Sequence, residues 1–463
     1  MIYGDKQREV IINLPAKNHY FCNTHFNWII MNKKMILTWV LAGFLGLAQA
    51  QNNSPIPEHI QSVTAISRVL GDGRKVATVI LEYDSPISNK SLSLNSYQVE
   101  DKEVTKVYAN TAPERAEKGV NGSYVVIEVK AEVDLNAQPK QPTPAEMEKK
   151  KERDRMQGGP GLRAGWSTGG NDEYPGNAVV IQTADIKTAK GKTYKASDAK
   201  IASTVERCLV ADDFKQAEFV SPYSGQTLPY NIYLPADYNP EEKYPLVLFI
   251  HDAGVASGPV QHTLHQGIGA TSWAEPEAQA RHKCIVVAPE YPFITVDDNW
   301  NYSHHLDATI ELLKDLQTRY SIDPKRIYTT GQSMGCMSSI VMMLKEPDLF
   351  AGALLVAGKW NPALMGPLDQ QNIWIISCEG DQSSNTLQSQ AVARWREQGS
   401  KVTEATWNMT LPAEELSKEA DKMRAEGNHL LMTHLTGGNH RATWFIAYGI
   451  EGVQDWLFEQ VKR

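Results

Sequence analysis

The sequence predicts two folded units, an all-β sandwich followed by an α/β unit built on a mostly parallel sheet. Three observations predict this. From Ile60 to about Ser203, short apolar or alternating runs are bounded by Gly, Asn, Asp and Pro, the pattern of antiparallel strands. From about Val205, strand-like runs alternate with helical ones, the pattern of parallel strands joined by crossover helices. Within the second region, Gly331-Gln332-Ser333-Met334-Gly335 lies between a strand-like and a helical stretch. A chain of 463 residues is long enough for two or three domains of ordinary size.

Before the first unit, residues 31–50 read MNKKMILTWVLAGFLGLAQA. A short basic start, an apolar run from Met35 to Leu47 and the A-x-A site Ala48-Gln49-Ala50 form a secretory signal peptide. Residues 1–30 have no targeting logic of their own. They are read as an upstream leader from a mis-assigned start, and the mature chain is expected to begin near Gln51. The competing reading, a membrane anchor with a cytoplasmic tail, suffers because the apolar run is too short to span comfortably. No cysteine follows the cleavage site, so no lipid anchor is indicated. A secreted or periplasmic location is expected.

The β unit is assigned to residues 51–203, with strands at KVATVILEY (Lys75–Tyr83), SYVVIEV (Ser123–Val129) and NAVVIQT (Asn177–Thr183). It carries a charged and Gly-rich insertion at about 138–176, containing EMEKKKERDR and GGPGLRAGWSTGG. The acidic residues interleaved with Lys and Arg make this a solvated face rather than a nucleic-acid patch. The net charge of -8 likewise argues against a nucleic-acid partner.

The second unit is assigned to residues 204–463. YPLVLFIHDAG (Tyr244–Gly254) and CIVVAPEYP (Cys284–Pro292) are continuous apolar runs, as for buried parallel strands. LDATIELLKDLQTRY places Leu306, Ile310, Leu313 and Leu316 on one helical face. RIYTT leads into the Ser333 turn and SSIVMMLKE follows as a helix. ALLVAG, NIWIISCEG and LLMTHLTGG supply further strands, and IEGVQDWLFEQV closes the chain as a helix.

The pattern G-x-S-x-G, placed after a strand and before a helix, is that of a tight turn presenting a nucleophile, here Ser333. A serine needs a general base held by a carboxylate. Asp381 follows the strand NIWIISCEG, and His440 lies in the loop TGGNHRATW after LLMTHL, giving the order Ser, Asp, His of α/β-hydrolases. Glu379 is the second choice as acid. His434 lies within a strand and His429 before it, so both rank below His440 as base. The backbone N–H of Met334 and that of Ala253, in the His251-Asp252-Ala253-Gly254 loop, are the candidate oxyanion donors. Asp252, Trp273, Trp300 and Trp360 are candidates for lining a substrate cleft; for the tryptophans, packing is the equal alternative.

No cofactor is expected, because no glycine-rich nucleotide loop follows any strand. No metal site is expected either: His262, His265, His304 and His305 lack a ligand set at suitable spacing. Beyond Cys22 in the leader, Cys208, Cys284, Cys336 and Cys378 have no CxxC spacing. Disulfides and buried thiols stay equally open.

From Phe214 to Arg463, through PYNIYLPADY, YPLVLFIHDAG, YSIDPKRIYTTGQSMG, EGDQ and GGNHRATW, the chain resembles the secreted α/β-hydrolase esterases. This broad group holds feruloyl and acetyl esterases, polyhydroxybutyrate depolymerases and predicted peptidases of the prolyl-oligopeptidase type. The β-rich unit resembles the immunoglobulin-like domain fused to some of them. The chain departs at Asp252 and Cys336, where relatives often carry glycine. The resemblance implies a serine esterase acting on esters of plant or microbial polysaccharides. The alternatives are a peptidase of the prolyl-oligopeptidase type and a non-catalytic glycan-binding protein on a hydrolase scaffold. The sequence leaves the oligomeric state open.

Overall fold

The computed structural model describes residues 55–136, 148 and 174–462. The leader at 1–30, the signal peptide at 31–50 and nearly all of the insertion at 138–176 lie outside the described residues. Among those described, no helix is long and apolar enough to cross a membrane.

The N-terminal unit contains strands β1 (Ile60–Leu70), β2 (Gly73–Ile87), β3 (Tyr97–Val99), β4 (Val104–Asn110), β5 (Gly122–Val129), β6 (Val179–Gln182), β7 (Ile186–Lys187), β8 (Thr193–Tyr194), β9 (Ile201–Ala202) and β10 (Val205–Cys208). One sheet has the order β10-β1-β2-β5-β4 and a smaller one β3-β6-β9. Pairing is antiparallel except between β1 and β10. Alternate residues point inward, so Val63, Val79, Leu81, Ile127, Val180 and Ile186 form one buried core between the sheets. Each such aliphatic side chain contributes about 1.5–3 kcal/mol on burial. This is the immunoglobulin-like sandwich. Its last strand, β10, runs to Cys208, beyond residue 203 where the sequence texture changes.

The turn after β1 packs onto the second unit. A Cβ at Gly71 would fall 2.5 Å from the Phe445 carbonyl oxygen, and one at Gly267 would fall 2.7 Å from that of Gly71. Val69 joins the same buried cluster as Leu264 and Phe445.

The second unit adds β11 (Lys215–Val220), β12 (Thr227–Tyr233), β13 (Tyr244–Ile250), β14 (Ile285–Pro289), β15 (Ile322–Gln332), β16 (Gly352–Val356), β17 (Ile373–Cys378), β18 (Val402–Asn408) and β19 (Leu430–Thr436). Their order is β11-β12-β14-β13-β15-β16-β17-β19-β18. The strands from β14 to β18 pair in parallel, while β11 and β12 form an antiparallel edge. The helices are α1 (His262–His265), α2 (Ile268–Thr271), α3 (Pro276–Arg281), α4 (His305–Arg319), α5 (Met334–Lys345), α6 (Gln382–Glu397), α7 (Ala413–Ala425), α8 (His440–Ala447) and α9 (Glu451–Glu459).

Both faces of this sheet are covered. Leu246, Leu248 and Ile250 of β13 pack with Leu313 of α4, Ile340 of α5 and Trp395 of α6. Val247 and Phe249 point the other way, into a cluster with Met423 of α7, Trp444 of α8 and Trp456 of α9. This two-sided burial explains the unbroken apolar runs in the sequence. The strands β15, β17 and β19 run parallel, so the segments that follow them emerge at one edge. His440, expected in a loop, is instead the first residue of α8, because Asn439 caps that helix by accepting a hydrogen bond from the Ala442 N–H at 3.0 Å.

Candidate active site

Ser333 occupies the single residue between β15 and α5, with φ 53° and ψ -115°. This left-handed conformation strains any residue with a side chain, at a cost of about 1–3 kcal/mol. Two glycines make the turn feasible. A Cβ at Gly331 would lie 2.5 Å from the Gly335 carbonyl carbon, and one at Gly335 would collide with the Ile250 carbonyl oxygen. The backbone therefore folds tightly on β13, and the start of α5 lies beside the Ser333 hydroxyl.

His440 Nε2 lies 3.0 Å from Ser333 Oγ. Its Nδ1 is hydrogen-bonded to Asp381 Oδ2. Asp381 is itself the N-cap of α6, its Oδ1 accepting from the Ser384 N–H at 3.3 Å. The loops that carry the two groups touch backbone to backbone: a Cβ at Gly380 would run into the Gly438 carbonyl oxygen. The His440 ring meets that of Trp444, one turn further along α8, edge to face, with centroids 5.0 Å apart. Ser333, His440 and Asp381 thus form one hydrogen-bonded run at the edge of the sheet. Glu379 stays outside it; its N–H donates to the Leu435 carbonyl. His434 bonds to Glu404 and Asn385, each at 2.7 Å, and His429 to the Asp369 carbonyl at 2.8 Å.

The loop after β13 is held by a buried polar network. The Tyr291 N–H donates to His251 Nε2 at 3.1 Å, so the proton sits on Nδ1, which donates to the Asp252 carbonyl at 2.6 Å. Full burial keeps this imidazole pKa below its ordinary value and the ring neutral. Burial likewise pushes the Glu290 carboxyl well above its usual range; its Oε2 accepts from Thr263 Oγ1 at 2.7 Å. The Asp252 side chain faces the loop rather than the cleft. Its Oδ1 accepts from the Gly254 N–H at 2.5 Å, and its Oδ2 from Gln332 Nε2 at 3.3 Å. Gln332 also donates to Gln266 Oε1 at 3.1 Å, and that oxygen faces the Asp252 N–H at 3.4 Å. Sequence reading passed over Gln332 as a free position of the motif, and the side chain holding the loop was missed there.

A cavity of about 230 Å³ opens beside Ser333 and His440, lined also by Met337, Asp298, Lys359 and Ser383. Neither Asp252 nor the three candidate tryptophans line it. Trp273 is a core residue, 1% exposed, packed on Phe458 and donating to the Gly269 carbonyl at 2.8 Å. Of the two readings left open for it, cleft and packing, the structure shows packing. Trp360 is buried, and its ring meets that of Trp300 edge-on at 5.4 Å. Among the described residues, no group of His, Cys, Asp and Glu is arranged to hold a metal ion. Cys208, Cys284, Cys336 and Cys378 are buried free thiols.

A strained serine between strand and helix, on a mostly parallel sheet, defines an α/β-hydrolase fold; the comparisons place it among the carboxylic ester hydrolases. The family models "Esterase Ig-like N-terminal domain" and "Esterase" match residues 62–195 and 221–448. The chain belongs to the esterases that carry an immunoglobulin-like N-terminal domain. A solved structure described as a thermostable esterase superposes with a TM-score of 0.68 at 26% identity, covering 87% of this chain and all of that one. Acetylxylan esterase A of Aspergillus oryzae is 27% identical over 113 residues, 23% of this chain and 37% of the relative. Poly(3-hydroxyalkanoate) depolymerase C of Paucimonas lemoignei is 42% identical over 48 residues, 10% of this chain and 12% of the relative. The matches thus span little more than a third of the acetylxylan esterase and about an eighth of the depolymerase.

Proposed function

We propose that the protein is an exported serine esterase that hydrolyses acyl esters carried by polysaccharides, through an acyl-enzyme. The observation that carries this reading is the run Asp381–His440–Ser333, with 3.0 Å between His440 Nε2 and Ser333 Oγ. In the proposed reaction Ser333 Oγ attacks the ester carbonyl as its proton passes to His440 Nε2. Asp381 holds the imidazole in the required tautomer and offsets the imidazolium charge. The N–H groups of Met334 and Ala253 receive the developing oxyanion. For Ala253, support comes from His251: its Nδ1–H bond to the Asp252 carbonyl fixes the peptide plane that contains the Ala253 N–H. His440 then protonates the departing alkoxide. Water, deprotonated by the same nitrogen, releases the acid. A polysaccharide-linked substrate is supported by the likeness to acetylxylan esterase over 113 residues. Export through residues 31–50 belongs to the same proposal.

The test is hydrolysis of short-chain p-nitrophenyl esters, methyl ferulate, acetylated xylan and a chromogenic peptide by the purified protein and Ser333→Ala. Ester turnover that disappears in the variant is expected. Turnover unaffected by the substitution, or confined to the peptide, would overturn the reading.

A further inference from the structure

The wall of the cavity also carries a charge pair that the proposed reaction does not use. Lys359 Nζ lies 3.0 Å from Asp298 Oδ1 and donates to Ser383 Oγ, also at 3.0 Å. All three residues line the same cavity as Ser333. The Lys359 side chain is 21% exposed, whereas that of Asp298 is 69% exposed. An exposed ion pair ordinarily contributes little to stability, so stability is a weak reason for this one.

Its setting is built. Asp298 sits on a short loop closed by a bridge between Val296 and Tyr302. Asp297, only 3% exposed, holds that loop from inside. Its Oδ1 accepts from the N–H groups of Asn299 (2.9 Å) and Asn301 (3.0 Å), and its Oδ2 accepts from Asn301 Nδ2 (2.9 Å). Trp300 is forced to φ 66°, a conformation unfavourable for a bulky residue and one that concentrates at functional sites. The Trp300–Trp360 contact then ties this loop to the segment that carries Lys359. Two aromatic rings and two opposite charges thus join the loops side by side, and the charges face the cleft.

We propose that Asp298 and Lys359 form a subsite for the free hydroxyls of the sugar that bears the ester, which rests on the esterase reading above. An ammonium has three protons to donate, and Asp298 and Ser383 take two of them. A carboxylate accepts at several lone-pair sites, and Asp298 is mostly open. A sugar hydroxyl both donates and accepts, so neighbouring hydroxyls can bind the carboxylate and the ammonium together. The pair is neutral overall, which suits an uncharged polyol and not an anionic or cationic substrate. Hydrogen bonds to charged partners are the stronger kind, so the effect on selectivity is measurable.

The test compares p-nitrophenyl acetate, whose alcohol has no aliphatic hydroxyl, with a methyl xyloside carrying one acetyl group and free neighbouring hydroxyls. The full-length wild type, Asp298→Asn, Lys359→Met and Lys359→Arg are assayed on both. The ratio of kcat/KM for the sugar ester to that for the aryl ester is expected to fall about tenfold in Asp298→Asn and in Lys359→Met. The fall should reside mainly in KM, with partial recovery in Lys359→Arg. A ratio unchanged within about twofold, or one raised by Asp298→Asn, would overturn the subsite while aryl ester turnover still upheld the esterase. Absence of aryl ester turnover in the wild type would overturn the esterase reading itself, and the subsite with it.

Discussion

Replacing Gly335 by alanine tests how the serine turn and the loop after β13 depend on one another. The added Cβ would collide with the Ile250 carbonyl oxygen and lie 2.6 Å from its carbon and 2.9 Å from the His251 oxygen. Ordinary contact begins at 3.4 Å and the carbonyl oxygen is the nearest atom, so the start of α5 and the end of β13 must part by more than 1 Å. Neither side can yield alone, because Ile250 is fully buried in the sheet and leads straight into the His251–Ala253 loop. The displacement therefore falls between the two proposed oxyanion donors, Met334 and Ala253. A misplacement of this size, or the loss of one such donor, lowers turnover by about 100-fold. Overpacking should also destabilise the fold by about 1–3 kcal/mol. The assay is kcat on p-nitrophenyl acetate, with thermal unfolding followed by circular dichroism to establish that the variant is folded. A folded Gly335→Ala with kcat within threefold of the wild type would refute this account of the turn.

Asp381→Asn should lower kcat by about 10³–10⁴, because the amide favours the wrong imidazole tautomer. Stability should barely change, since Asn caps a helix as well as Asp, whereas Asp381→Ala should lose about 1 kcal/mol more in denaturant unfolding. Burial, with the nearby Arg74 charge, holds the His265 imidazole down at about 4 against its ordinary 6.5. The unfolded chain therefore binds the proton first, and stability is lost as pH falls from about 6.5 to about 4. The loss is on the order of 3 kcal/mol, and His265→Gln should flatten it when unfolding is measured across that range. Burial pushes the Cys284 thiol up to about 12 and the Cys208 thiol to about 11. Both should react with a disulfide reagent only after unfolding, and fast labelling of the folded protein would contradict their burial.

The fold was legible wherever burial leaves a one-dimensional trace. Strands β14, β16 and β17 are buried along their whole length, and β13 at every position but Pro245, and all four read as unbroken apolar runs. Strand β18, VTEATWN, lies at the sheet edge with only Thr403 and Trp407 buried, and its polar sequence gave no such signal. Helix α8 was hidden because GGNHRATW reads as a loop, yet Asn439 is an N-cap and the helix begins at His440. Ser333, Asp381 and His440 were found because each follows a strand and the chain order is informative. What holds them was not legible. The contact of Gly380 with Gly438, the two bonds donated by Gln332, and the facing of Asp298 and Lys359 each join segments distant in sequence. Trp273 shows the converse difficulty: a tryptophan's sequence position does not say whether its ring faces a cleft or a core.

Asp381 holds His440 and also caps α6, so losing it would harm the fold even in a chain with no ester to cleave. Ser333 is the opposite case, because its φ of 53° strains any residue with a side chain. Drift under selection for folding alone should therefore retain a capping side chain at position 381, aspartate or asparagine, and relax the serine. In a distant homologue that has abandoned chemistry, the helix cap would persist as a fossil of the site, and a residue such as glycine at the turn would mark the loss.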